Sequence, residues 1–208
     1  MQNEVTSSPP FLEWGVATQT FPGEATCGDR HVMQAFPSGA LVAVIDGLGH
    51  GGEAAAAAEI AVATLRGHAH EPLITLLNRC HEQLRASRGV VVSMASFNAL
   101  EGTLTWSGVG NVEGLLRRAG VSTNASDESL LLRGGIVGIQ LPPLSASIIP
   151  VMPGDTLIFV TDGITLDFAD KLNLRDPPQE LADRILAQHG KGTDDALVLV
   201  ARYGTRST

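Results

Sequence analysis

Four aspartates in this sequence share one local pattern. The apolar run Leu41–Ile45 enters Asp46-Gly47, and Leu157–Thr161 enters Asp162-Gly163. Asp194-Asp195 opens the run Ala196–Ala201, and Asp29 follows Gly28 just ahead of His31. Each acid stands at one end of a strand-like segment, beside a glycine or a second aspartate. Asp-Gly is an ordinary turn pair, so any one of the four reads most simply as a turn residue. All four in one small chain read differently, because carboxylates gathered at the edge of a buried sheet cost free energy unless cations neutralise them. Oxygen donors with almost no Cys or His nearby select hard cations such as Mg²⁺ or Mn²⁺ over zinc. Two such ions sharing a carboxylate and a water suit in-line attack on phosphorus.

Two other patterns compete for attention. Gly47, Gly49 and Gly52 fit G-x-G-x-x-G between a strand and a helix, the spacing of a dinucleotide site. An acid directly before the first glycine is unfavourable there, and the expected second strand ending in an acid is missing. His50 lies in the same glycine-rich segment and could protonate a leaving oxygen, although a lone loop histidine more often has no such task. His68-x-His70 falls near a helix end, where a C-terminal dipole partner is the simpler role. Cys27 and Cys80 make neither a disulfide framework nor a zinc site, and both read as free thiols in a reducing compartment. The Asn124-Ala-Ser126 sequon reads only as part of a polar loop, and Trp14 and Trp106 read as core residues.

Positioning those aspartates falls to a chain rich in short strands. Leu12–Gln19, His31–Phe36, Leu41–Ile45, Val90–Ala99, Gly102–Ser107 and Val112–Arg118 have strand character. So do Ser129–Leu132, Ser145–Val151, Thr156–Val160 and Ala196–Tyr203. After Gly51-Gly52, Glu53–Arg66 is an alanine-rich helix, its small residues implying close packing. Pro72–Ser87 is a second helix that opens on a helix-starting proline, and Pro177–His189 is a third. In Pro72–Ser87, Leu73, Leu76, Leu77, Cys80 and Leu84 form one apolar stripe. Runs of strands with paired helices between them predict an α+β fold of antiparallel sheets covered by helices.

Composition narrows the function classes. The chain has 208 residues, a net charge of −8, 44% hydrophobic and 17% charged residues. These values predict one packed domain over 11–204, with a leader at 1–10 and a tail at 205–208, the domain filling the chain. The acidic balance and the lack of a Lys/Arg cluster argue against nucleic acid as a partner. No apolar run approaches the ~18 residues of a membrane span, and the first ten residues lack a secretory pattern, which predicts a cytoplasmic protein.

Taken in order, the motifs resemble a known family. Gly28-Asp29, Asp46-Gly-Leu-Gly-His-Gly51, Pro153-Gly-Asp-Thr-Leu-Ile-Phe-Val-Thr-Asp-Gly163 and Asp194-Asp195 resemble the metal-dependent serine/threonine phosphatases related to protein phosphatase 2C, in their SpoIIE-type branch. Ser107–Asn111 and Gly135–Gly138 are similar to weaker middle motifs of that family. The resemblance implies an αββα sandwich with two Mn²⁺ or Mg²⁺ ions at one edge of the sheets. It implies that Asp46 bridges both ions, that Asp29 and the Gly47 carbonyl serve one, and that Asp162 and Asp194 serve the other. Asp195 is an alternative to Asp194 or a supporting group. It further implies a metal-activated water that attacks phosphorus directly, with no covalent phosphoenzyme.

In size the chain resembles the stand-alone stressosome phosphatases of that branch. This implies phosphoserine or phosphothreonine on STAS-domain proteins as substrate, reset of stress signalling as the outcome, and a monomer. A degenerate, non-catalytic domain that binds a phosphoprotein is the alternative. Arg30 is a phosphate-clamping candidate by its nearness to Asp29 alone.

Overall fold

Apolar runs in this chain become strands buried on both faces, which requires layers on either side of each sheet. A computed structural model describes residues 9–120 and 127–204. Most of the expected leader, the tail at 205–208 and the Asn124 sequon lie outside the described residues. The chain opens with strands β1 (Leu12–Gln19), β2 (Asp29–Phe36) and β3 (Gly39–Gly47). Helices α1 (Gly51–Gly67) and α2 (Leu73–Leu84) follow. Next come β4 (Val90–Asn98), β5 (Thr103–Val109), β6 (Glu113–Arg117), β7 (Glu128–Ser129), β8 (Ser147–Pro150) and β9 (Thr156–Val160). Helix α3 (Pro178–His189) and strand β10 (Ala196–Tyr203) complete the chain.

Among the described residues the strands form two five-stranded sheets, ordered β1-β10-β9-β6-β7 and β2-β3-β4-β5-β8. Every paired strand in both sheets is antiparallel to its neighbour. Val42, Val44, Phe97, Trp106, Phe159, Leu197 and Leu199 fill the space between the sheets. Leu41, Ala43 and Ile45 face the other way, onto Ala57, Ala58, Ala61, Leu65, Leu76 and Leu77 of α1 and α2. Ile158, Val160, Val198 and Val200 meet Leu181, Ala182 and Ile185 of α3. The result is the αββα sandwich. The alternation within β3 and β10 sends one set of apolar side chains to the central layer and the other to a helical layer, so neither strand shows polar residues at period two.

The antiparallel pairing removes the dinucleotide reading, since that fingerprint requires a parallel βαβ unit. Expected Ser129–Leu132 survives as a strand only at Glu128–Ser129. Beyond it the chain changes sheets. The Leu130 amide donates to the Gly114 carbonyl, while the Arg133 carbonyl accepts from the Gly110 amide. A six-residue 3₁₀ helix at Leu166–Lys171 carries no periodic pattern long enough to announce it. Trp106 is buried as expected, whereas Trp14 is only partly buried at the edge of the central core, its ring against His31. Cys27 is half-buried and Cys80 buried, and burial pushes both thiols up to about 12, so they stay protonated.

Candidate active site

Strand register brings the first two aspartates together. Asp29 and Asp46 are direct antiparallel partners on β2 and β3. Like charges set opposite one another across a ladder repel. Asp162 follows β9 in the other sheet, and Asp194 precedes β10. One threonine links the two sheets at this edge. The Thr161 hydroxyl donates to Asp29 Oδ2 at 2.8 Å and accepts from the Leu197 amide at 2.8 Å.

The glycine after each Asp is there because of crowding. A Cβ on Gly47 would lie 2.1 Å from the Ala54 carbonyl oxygen, and one on Gly163 would lie 2.1 Å from the Asp195 carbonyl oxygen. Helix α1 and the start of β10 therefore press directly against the two Asp-Gly steps. This close approach sets the acids at the rim of one open cavity of about 410 Å³. Asp46, Asp162 and Asp194 line it, with Leu48, Gly49, His50, Asn111, Gly134 and Gly135. Asp29 is buried behind Asp46 and takes no part in that lining.

Charge accumulates here, and among the described residues no basic side chain forms a salt bridge with these carboxylates. Burial, and then the carboxylates of Asp29, Asp162, Asp194 and Asp195, push Asp46 up to about 9. Burial raises Asp29 to about 7, reinforced by Asp195, Asp162 and Asp194 and opposed by the Thr161 hydroxyl. Lys191 donates to the Asp162 backbone carbonyl at 2.5 Å, leaving the carboxylate to Asn111, whose amide donates to Asp162 Oδ2 at 2.9 Å. Among the described residues, no three acidic, histidine or cysteine side chains already form a metal cage. The donor set is nonetheless all oxygen, strongly anionic and open to water on one side. This fits a hard divalent cation that keeps part of its hydration shell.

The structure separates the paired acids at 194 and 195. Asp195 is buried, and both of its oxygens are occupied: Oδ1 accepts from the Phe21 amide at 2.8 Å and Oδ2 from the Gly28 amide at 2.7 Å. It pins the loop between β1 and β2 to the start of β10. Asp194 lines the cavity, and its Oδ1 accepts from the Asp195 amide at 2.8 Å.

Arg30 does not reach the cavity. Its guanidinium is held by Glu59 at 2.5 Å and by the carbonyls of Cys27 and Asp29 at 2.6 and 2.9 Å. Arg88, in the turn before β4, escapes a reading by sequence alone. One of its terminal nitrogens stands against Gly49 at the cavity rim, while the other pairs with Glu53. The Leu48 amide bonds the adjoining Gly89 carbonyl at 3.2 Å, fixing this turn to the glycine-rich segment. Away from the cavity, His68 caps α1 through its amide and pairs with Glu71 at 3.4 Å, as its place at a helix end suggests.

A family model described as stage II sporulation protein E (SpoIIE) matches residues 37–204. This chain belongs to the SpoIIE family. Asp46, Asp162 and Asp194 fall within the matched stretch, and Asp29 precedes it. The phosphoserine phosphatase RsbX of Bacillus subtilis (strain 168) is 30% identical over 94 residues, which cover 45% of this chain and 47% of RsbX. That alignment thus spans about half of each protein. Among solved structures, a chain from work on the bacterial stressosome as a modular system adapted to control secondary messenger signalling is 31% identical, with a TM-score of 0.83 over 92% of this chain and 99% of that one. RsbX in complex with magnesium is 21% identical and superimposes with a TM-score of 0.82 over 98% of both chains. The phosphatase domain of SpoIIE from Bacillus subtilis, of the protein phosphatase 2C type, is 17% identical with a TM-score of 0.73 over 95% of this chain and 64% of that one. The SpoIIE-family chain and these two lower-identity structures share the αββα sandwich. Among the described residues no helix is long and apolar enough to cross a membrane.

Proposed function

We propose that this SpoIIE-family chain is a metal-dependent protein serine/threonine phosphatase that acts in the cytoplasm as a monomer. The observation that carries the reading is the convergence of Asp46, Asp162 and Asp194 on one open cavity, with Asp29 buried behind Asp46 as its strand partner. Asp46 would bridge two Mg²⁺ or Mn²⁺ ions, Asp29 and the Gly47 carbonyl would complete one, and Asp162 and Asp194 the other. Bound there, such ions supply Lewis acidity and a water of lowered pKa for direct attack on phosphorus. Asn111 orients the Asp162 carboxylate, and Thr161 orients that of Asp29. Asp195 takes the supporting role, because its oxygens are already filled by backbone amides. Arg88, which stands against the cavity-lining Gly49, offers the planar fork of donors that suits a phosphoryl group once it leaves Glu53, and His50 in the cavity lining is placed to protonate the leaving oxygen.

For substrate we propose phosphoserine or phosphothreonine on STAS-domain proteins of a stressosome. Its removal would reset the signalling complex. The 31% identical chain from the stressosome work, matched along 99% of its length, supports this choice. The test is phosphate release from a phosphorylated STAS protein with Mn²⁺, with Mg²⁺ and with a chelator. Metal-dependent release supports the proposal. Metal-dependent binding without release would favour a degenerate domain that only recognises the phosphoprotein, and release untouched by the chelator would overturn the two-metal assignment.

A further inference from the structure

His50 is held from behind by a residue that the family-matched stretch does not include. Its Nδ1 lies 2.7 Å from Glu24 Oε1, and the Phe21 ring lies 4.9 Å from its own at an interplanar angle of 35°. Both partners come from the loop joining β1 to β2. That loop is not loose at this point, since the Asp195 carboxylate binds the amides of Phe21 and Gly28 at either end of it. The Glu24 carboxylate also sits so close to the start of α1 that a Cβ on Gly51 would meet Oε2 at 2.7 Å. Gly51 has a φ of +75°, which favours glycine there. His50 itself is the N-cap of α1, yet its side chain makes no capping bond. Its side chain is given over to Glu24 and Phe21, and the residue lines the cavity with Asp46, Asp162 and Asp194.

We infer that Glu24 is a positioning residue that accepts the Nδ1 proton of His50, fixing the ring so that Nε2 faces the substrate as proton donor to the seryl or threonyl oxygen. This rests on the phosphatase reading above. A carboxylate can only accept, so the nitrogen it contacts must carry hydrogen, and the opposite nitrogen is the one left for exchange. In the step itself, water forms the new P–O bond and the seryl P–O bond breaks. The seryl oxygen takes the electron pair of that bond and the proton from Nε2. The proton released by the attacking water then returns the imidazole to its protonated form, with Nδ1–H held by Glu24 throughout. Phe21 packs against the ring at this tilted angle and limits its rotation.

The experiment compares leaving groups. A seryl alkoxide needs a proton as it departs, whereas p-nitrophenolate does not. Glu24→Ala should lower turnover of a phosphoserine STAS substrate about 10-fold while changing p-nitrophenyl phosphate hydrolysis less than about twofold. Glu24→Gln retains an acceptor oxygen and should recover part of the loss. Equal effects on both substrates, or none, would overturn the inference. A second readout needs no turnover. In metal-free protein labelled with ¹⁵N at histidine, at a pH where the ring is neutral, His50 should carry its proton on Nδ1 in the wild type and lose that preference in Glu24→Ala. A wild-type Nε2–H tautomer, or a pattern unmoved by the substitution, would overturn the inference. Wild-type protein inactive on both substrates would instead count against the phosphatase reading, with the tautomer measurement still deciding the role of Glu24.

Discussion

Replacing Asp46 by asparagine removes the carboxylate on which the charge at this site is focused. In the metal-free fold that group is pushed from its ordinary 3.8 to about 9 by burial and by four neighbouring carboxylates. An acid whose folded value is raised contributes stability below its unfolded value and loses it as pH rises through the folded one. Between roughly pH 4 and 9, metal-free wild type is therefore progressively destabilised by this residue, and Asp46→Asn is spared. At pH 7.5 the ceiling, at about 1.4 kcal/mol per pH unit, is about 5 kcal/mol. Water entering the open cavity reduces it, and a third of that ceiling corresponds to a Tm about 5 °C higher for a domain of this size. Thermal melts in EDTA at pH 5, 7 and 9 should show the variant gaining on wild type as pH increases. Saturating Mg²⁺ should reverse the order. At 100 times its Kd, a ligand stabilises wild type by about 2.7 kcal/mol, and the variant should gain much less. A variant less stable than wild type in EDTA at every pH, or a wild type whose melt ignores Mg²⁺, would refute the reasoning.

Four further outcomes follow from the same geometry. Asp195→Ala should lower Tm with or without metal, because it strands the buried amide of Gly28 and the half-buried amide of Phe21 at a cost of about 2 kcal/mol or more. Asp194→Ala should abolish the response of the melt to metal. Arg88→Ala should raise KM for the phosphoprotein about 10-fold, whereas Glu53→Gln, which only releases Arg88 from its surface partner, should not; matched effects in steady-state kinetics would make the pair structural. Gly47→Ala should fail to fold or should unfold at much lower denaturant, since its Cβ would lie 2.1 Å from the Ala54 carbonyl oxygen.

Much of the scaffold was legible because its central strands carry uninterrupted apolar runs, such as Leu41–Ile45, Leu157–Val160 and Ala196–Ala201. Leu12–Gln19, Thr156–Val160 and Ala196–Tyr203 end where their composition ends. The segment after Glu128 was not legible, since a chain that leaves one sheet for another keeps its apolar character while losing its ladder. Of the candidate site, Asp46 and Asp162 could be found because each follows a buried run and precedes a glycine pressed by a neighbouring backbone. Telling Asp194 from Asp195 required burial and hydrogen bonding, since two adjacent residues of the same type look alike in sequence, and only the structure shows one lining the cavity and the other buried. Glu24 and Arg88 gave no signal. Their partners, His50 and Gly49, are brought to them by the β1–β2 loop and by the turn before β4, and neither segment has any pattern of its own.

The central claim is that the sheet edge bearing Asp46 is a site for two divalent cations, and anomalous scattering from crystals soaked in Mn²⁺ tests it most directly. The account predicts two peaks flanking Asp46, one toward Asp29 and the Gly47 carbonyl and one toward Asp162 and Asp194, both absent in Asp46→Asn. Crystals of the wild type at saturating Mn²⁺ with no peak at this edge, or with peaks that persist unchanged in the variant, would contradict it.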